Sequence, residues 1–202
     1  GSPDLLNAQR VADHIKSNHY SIELTEKDFL EAIPKVIYNI ESYDTTTVRA
    51  SVGNYLVSKY IKENTDCKVV FNGDYADEVC GGYKYLKKAP NDEEFHNECL
   101  RLVNDIHYFD CLRSDRSISN NGLEARVPFA DKDFVEFYLS INPTLRMSYD
   151  KIEKCMLRKA FVKDNLLPEE VLWRFKEAFS DGVTVETRSW HQIIQEFVDN
   201  QI

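Results

Sequence analysis

Along most of this chain, apolar residues recur at three- and four-residue spacing, the periodicity of one helix face. The first such stretch opens on Ser2-Pro3-Asp4, where serine suits an N-cap and proline the first helical position. Leu5, Leu6, Val11, Ala12 and Ile15 supply its stripe. "YSIEL" (20–24) alternates apolar and polar side chains, which predicts a short strand ended by Thr25. Thr25 and Asp28 have the spacing of an acidic capping box. A helix is therefore expected to carry Phe29, Leu30, Ile33, Val36, Ile37 and Ile40 on one face. Pro34 inside that pattern predicts a kink or two abutting helices.

"YDTTTVRASVGNYLVSKYIKEN" (43–64) reads as a loop with a threonine cap and a second amphipathic helix. "KVVF" (68–71) is the one run with the character of a buried, parallel-type strand. From Asn91 onward the pattern is again helical, with Leu100, Val103, Ile106, Phe109 and Leu112 on one spacing. "FVEFYLSI" and "KIEKCMLRKAFV" continue it, punctuated by Pro143 and Pro168. A last helix is expected after "SDGVT", carrying Trp190, Ile193, Ile194 and Phe197. One parallel-type strand cannot be a sheet, so its partners are expected from outside these residues. The expected class is α/β, mostly helical, with few strands.

Composition narrows this. At 202 residues, with 43% hydrophobic and 12% aromatic content, the chain suits one folded domain or a large piece of one. A formal charge of −9 with no sustained basic run argues against nucleic-acid binding. No apolar run approaches membrane-spanning length and no signal-peptide pattern opens the chain, so no membrane association is expected. Five scattered cysteines without C-x-x-C fit free thiols in a reducing, cytoplasmic setting. The histidines show no metal-ligand spacing.

The candidate chemistry lies in "VVFNGDYADEVCGGY" (69–83), where Asp74, Asp77 and Glu78 crowd the end of the expected strand. Ligands of open α/β sheets sit at the carboxyl ends of strands. Gly73 permits close backbone approach, and carboxylates on a turn entering a helix suit Mg²⁺ held with substrate phosphates. A plain loop with an acidic helix cap has the same composition, and the cluster alone leaves both open.

"GDYADEVCGGYKYLKKAP", "YDTTTVRAS", "GLEARVPFADKDF", "KIEKCMLRKAF" and "WRFKEAFSDGV" together resemble the C-terminal synthetase domain of glutamine-hydrolysing asparagine synthetases, closest to the eukaryotic branch. That family carries strings near S-G-E-G-S-D-E, T-T-x-R-A-S, E-x-R-V-P-F-x-D, K-x-E-K-x-x-L-R and K-E-x-F-S-D-G. The resemblance covers residues 1–202 and implies the C-terminal part of an adenine-nucleotide-α-hydrolase-like (ATP pyrophosphatase) domain. It also implies a reaction in which ATP and Mg²⁺ adenylate aspartate and ammonia from glutamine displaces AMP.

By the same resemblance, Asn72 and Gly73 correspond to nucleotide contacts and Asp74 to the glutamate that serves adenylate chemistry, with the role of base for ammonia. Asp77 corresponds to the aspartate beside magnesium and pyrophosphate. Lys151 corresponds to a lysine that pairs with phosphate oxygens, with Lys154 as a second. Glu78, Asp110, Arg113, Glu124 and Arg126 correspond to substrate or ammonia-channel positions. For Asp110 and Arg113 a surface ion pair, and for Glu124 and Arg126 a buried one, stand as alternatives. Asp4 and Arg49 stand further out, as phosphate-side and nucleotide-side positions.

Two family elements, the N-terminal glutaminase domain and the S-G-G-x-D-S phosphate loop, have no counterpart string here, so a piece of a longer protein is expected, inactive alone. Asn72, Asp74, Tyr75 and Ala76 also depart from the family's Ser, Glu, Gly and Ser. A second reading follows: a catalytically silent relative acting as a binding or assembly module.

Overall fold

The computed structural model describes residues 2–147, 152–177 and 188–200. Helices dominate: α1 (Pro3–Ile15), α2 (Glu26–Ile40), α3 (Thr45–Asn64), α4 (Ala76–Cys80), α5 (Asp92–Asp105) and α6 (Asp110–Ser119) precede α7 (Lys132–Ser140), α8 (Pro143–Arg146), α9 (Cys155–Ala160), α10 (Glu169–Leu172) and α11 (Trp190–Asp199). Strands β1 (Val69–Phe71) and β2 (Glu124–Arg126) pair in parallel, with Glu124 N–H bonded to Lys68 O and Asn72 N–H to Arg126 O. Contacts divide the chain into two compact units. One comprises Gly1–Val70, Leu112–Ala125 and Glu177–Ile202; the other comprises Phe71–Cys111 and Arg126–Lys176.

The first unit is built on α2, α3 and α11. Thr25 and Asp28 form a reciprocal capping box, and Ser189 with Gln192 form another at α11. The α2 stripe packs as its spacing predicts: Val36 and Ile40 are buried with Val48, Val52, Trp190 and Ile193. Phe29, Leu30, Ile33 and Ile37 flank them, and Phe29 meets the Trp190 indole edge-on at 5.3 Å. Each fully buried side chain of this size contributes about 1.5–3 kcal/mol. Trp190 satisfies its indole N–H on the Arg49 carbonyl at 3.1 Å, which fixes α11 to α3.

Several local expectations change. Pro34 sits inside one helix, not between two. α3 is capped by the Asp44 carboxylate, which takes the Thr47 N–H, and not by threonine. Residues 20–24 form no strand. Alternation alone is insufficient where no ladder partner lies alongside. In α1 only Ala12 is buried, and Leu6 and Ile15 of its stripe are exposed. The expected partner strand of "KVVF" is β2 of this same chain. β1 itself is not buried: Val69 is 43% and Phe71 74% exposed.

In the second unit, one core joins Leu86, Phe95, Cys99 and Met147, and another joins Val79, Cys80 and Tyr138. The spacing from Leu100 to Leu112 does not lie on one helix, because a 3₁₀ turn at Ile106–Tyr108 separates α5 from α6. Leu100 lies on the outer face of α5 and Phe109 beyond the turn is also exposed, while Phe95 and Cys99 face the core. All five cysteines are free thiols. No helix among the described residues is long and apolar enough to cross a membrane.

Candidate active site

The candidate site is built within the second unit where β1 ends. Asn72 closes the ladder through its N–H, and its side-chain oxygen accepts the Asp74 N–H at 3.3 Å, turning the chain. Gly73 is exposed, and a side chain built there would meet nothing within 4 Å. Tyr75 then takes a left-handed conformation, φ +70° and ψ −20°, before α4 begins. A tyrosine in this region costs about 1–2 kcal/mol that a glycine would not. Its ring packs among Val79, Cys80 and Tyr138, which offsets that cost.

α4 carries Asp77 and Glu78 in its first turn and sends them to different surroundings. Asp77 lies between two ammonium groups: Lys154 Nζ donates to Oδ1, and Lys176 Nζ to Oδ2 at 2.5 Å. Burial pushes the Asp77 carboxyl upward, but the Lys154 charge, with both lysine hydrogen bonds, outweighs it and holds the group below its ordinary range. Asp77 is thus an anion shared by two cations, all three side chains about one-fifth exposed.

Glycine makes this possible. At Gly82 an added Cβ would lie 1.9 Å from Asp77 Oδ1, so the carboxylate occupies space that any other residue would fill. At Gly81, φ is +67°, and a Cβ would strike the Phe95 ring at 2.5 Å.

Glu78 points inward. Its Oε1 accepts the Tyr83 hydroxyl at 2.5 Å, and the same hydroxyl lies 3.1 Å from Asp110 Oδ2. One hydroxyl proton faces two carboxylates. Burial raises the Glu78 carboxyl, the Asp110 and Asp77 charges add to it, and the Tyr83 hydrogen bond only partly opposes them. Burial likewise raises the Tyr83 hydroxyl. The Tyr83 ring in turn lies 5.5 Å beneath Lys176 Nζ, a cation–π contact that steers the lysine.

A second ion pair stands behind the first. Glu153, only 2% exposed, takes Lys87 Nζ on Oε1 at 2.6 Å and the Lys176 N–H on Oε2 at 3.3 Å. Although burial raises its carboxyl, the Lys87 hydrogen bond and charge with two backbone donors hold it low. Lys154, next in sequence, adopts a left-handed conformation at φ +56°. Arg158 ties this turn down, donating to the Glu153 carbonyl at 2.8 Å and to the Leu172 carbonyl.

The structure therefore joins Asp77, Glu78, Asp110 and Lys154 of the expected set into one network. Asn72, Gly73 and Asp74 form the turn that leads into it. Glu78 is buried behind that turn and accepts the Tyr83 hydroxyl. Lys151 lies outside the described residues. Glu124 and Arg126 are both exposed on one face of β2, which rules out a buried ion pair between them. Arg113 and Glu124 belong to the first unit and Arg126 to the second. Arg49 bonds Trp190 through its carbonyl, and Asp4 sits in the first turn of α1. Lys176, Lys87, Glu153 and Tyr83 escaped the sequence reading. A signal for Lys176 is its place in the family-like string "WRFKEAFSDGV".

A short parallel strand runs into an acidic turn on which lysines from distant segments converge, within a mostly helical α/β fold. The asparagine synthase family model matches residues 1–94 and 87–202, and the chain belongs to that family. Human glutamine-hydrolysing asparagine synthetase is 50% identical over 201 residues, covering 100% of this chain and 36% of the human protein. The rat enzyme is 49% and the chicken enzyme 48% identical over the same span. The chain thus covers about a third of the length of these curated relatives.

Proposed function

We propose that this chain forms part of an ATP- and Mg²⁺-dependent synthetase domain that amidates aspartate, with ammonia from glutamine, in a cytoplasmic setting. The reading rests on one observation. Two lysines from separate family-like strings, "KIEK" and "FKEAF", converge on the aspartate of a third, "DYADE".

In this reaction the aspartate side-chain carboxylate attacks the α-phosphorus of ATP and pyrophosphate leaves, giving a β-aspartyl-adenylate. Ammonia then attacks the acyl carbon, AMP departs, and a proton must be taken from nitrogen. Charge builds on the phosphate oxygens in the first step, where fixed cations lower the barrier most. Lys154 and Lys176 supply them, and Asp77 orients both lysines before the phosphates arrive. Asp74, on the open turn, takes the role of proton acceptor. Asn72 and Gly73 offer backbone and amide groups to the nucleotide, and Lys151 is assigned a further phosphate contact.

One carboxylate is offered to a magnesium ion, that of Asp77, which must exchange a lysine contact to take it. Mg²⁺ commonly uses one or two carboxylates together with substrate phosphates, and Asp77 is ionised and partly accessible. Asp77 would hold the ion, which supplies charge neutralisation on the phosphates.

The test is aspartate- and ammonia-dependent pyrophosphate release by the full-length protein. Removing one group that stabilises transition-state charge costs roughly 10²–10³-fold in kcat, and Asp77→Ala and Lys176→Ala are each expected to fall by that factor. Wild-type rates in both variants would remove the reading.

Tyr75 favours a second reading, a synthetase-like domain kept for binding or assembly. It holds a left-handed position where the family string has glycine. Asp74 is also one methylene shorter than the family's glutamate, and a displacement of about 1 Å can cost roughly 100-fold in rate. Full-length protein that stays silent even after Asp74→Glu with Tyr75→Gly would decide for this second reading.

A further inference from the structure

We propose that Glu153 is a positioning residue for Lys176, and that Lys87 is the counter-ion that lets it stay buried as a carboxylate. The proposal rests on the reading of Lys176 as a pyrophosphate contact, and goes beyond it by assigning what holds that lysine in place.

The geometry has three parts. First, Glu153 Oε2 accepts the backbone N–H of Lys176 at 3.3 Å, so the carboxylate grips the main chain from which the lysine projects. Second, Glu153 is 2% exposed, and a carboxylate so deep is tolerated only when neutralised. Lys87 Nζ does this at 2.6 Å, from the 3₁₀ turn Lys84–Lys88 that follows Tyr83. Third, Arg158 fixes the Glu153 carbonyl and the Leu172 carbonyl, bracing both approaches to position 176.

Glu153 is thus flanked by Lys154 in sequence and Lys176 in space, the two cations on Asp77. Lys176 receives its backbone anchor from Glu153 and its side-chain guide from the Tyr83 ring. Without the anchor, the side chain would have to find Asp77 from a segment whose nearest ties are the backbone bonds of Trp173 and Arg174 and the Arg158 contact at Leu172.

Residue-resolved lysine acylation of the folded protein, read by mass spectrometry, tests this directly. In wild type, Lys154 and Lys176 should react slowly beside the exposed Lys59. Glu153→Leu should accelerate acylation of Lys176 roughly tenfold, the loss expected of one hydrogen bond to a charged group, with Lys154 and Lys59 unchanged. The double variant Lys87→Met with Glu153→Gln keeps a neutral acceptor and no orphaned charge, and should keep the wild-type rate at Lys176.

An unchanged Lys176 rate in Glu153→Leu overturns the proposal. So does equal acceleration of Lys154 and Lys176, which would report general loosening. If Glu153→Leu does not fold, the double variant carries the test, and fast acylation of Lys176 there is equally fatal. Adding inorganic pyrophosphate with Mg²⁺ separates the two readings. Failure to shield Lys176 in wild type would remove the pyrophosphate role alone, while the acylation pattern still decides the anchor.

Discussion

At the scale of single residues, Tyr75 carries a conflict between backbone and side chain. Its φ of +70° favours glycine, while its ring fills part of a core. The two contributions separate when the ring is removed in both of two variants. Tyr75→Gly and Tyr75→Ala lose the same packing, and only alanine retains a Cβ in the left-handed region. We expect the glycine variant to be more stable than the alanine variant by about 1 kcal/mol in urea denaturation. Glu98 offers a residue-scale test in acid. Hydrogen bonds from Arg101 lower its carboxyl to about 2 against weak burial, with help from the Tyr85 hydroxyl. A carboxyl lowered in the folded state contributes stability above its ordinary value near 4.5, and that contribution fades as pH falls toward 2. A carboxyl-carbon NMR titration should show Glu98 near the lower value, and Arg101→Ala should move it upward. The residues of the site were unevenly legible. Asp77 could be singled out because three carboxylates crowd the expected strand end and the family-like strings mark its position. Lys176 could not, because its partner is 99 positions away and an isolated lysine carries no periodicity.

At the scale of elements, the capping box of α2 and strand β1 were legible, while the cap of α3 and strand β2 were not. Thr25 with Asp28 announced α2 because both halves of a capping box lie within four residues. The same chemistry at Ser189 and Gln192 starts α11, though the sequence reading found that helix by its apolar spacing. Ser189→Ala should therefore cost about 1 kcal/mol, measured as a lower thermal midpoint with Trp190 fluorescence as probe. β2 stayed hidden because it has three residues, two of them charged and exposed, so it gives no apolar run and its alternation is too short to stand out. "YSIEL" erred the other way: it alternates well, but a strand is defined by its neighbour, and sequence pattern does not supply one. The long apolar spacing from Leu100 failed because a 3₁₀ turn resets the helical phase by a fraction of a turn.

At the scale of the whole molecule, each compact unit is assembled from separated stretches of chain, three in one case and two in the other. Such units form only when distant segments have found each other, and loop closure makes those meetings slow. The contacts within α5 are local; the grip of Glu153 on Lys176 spans 23 positions, and the Asp77 contacts span 77 and 99. In pulse-labelled hydrogen exchange during refolding, amides of α5 should gain protection before the amide of Lys176. Simultaneous protection would indicate that the network forms with the helices and not after them. The same separation has a meaning for the growing chain. A ribosome adds roughly 5–20 residues per second, so the acidic turn waits roughly 5–20 s after its own synthesis before Lys176 exists. During that interval Asp77 is an aspartate on a tether with no second cation to hold. A nascent chain cannot capture polyphosphate through this pair of lysines until nearly all of these residues have been made.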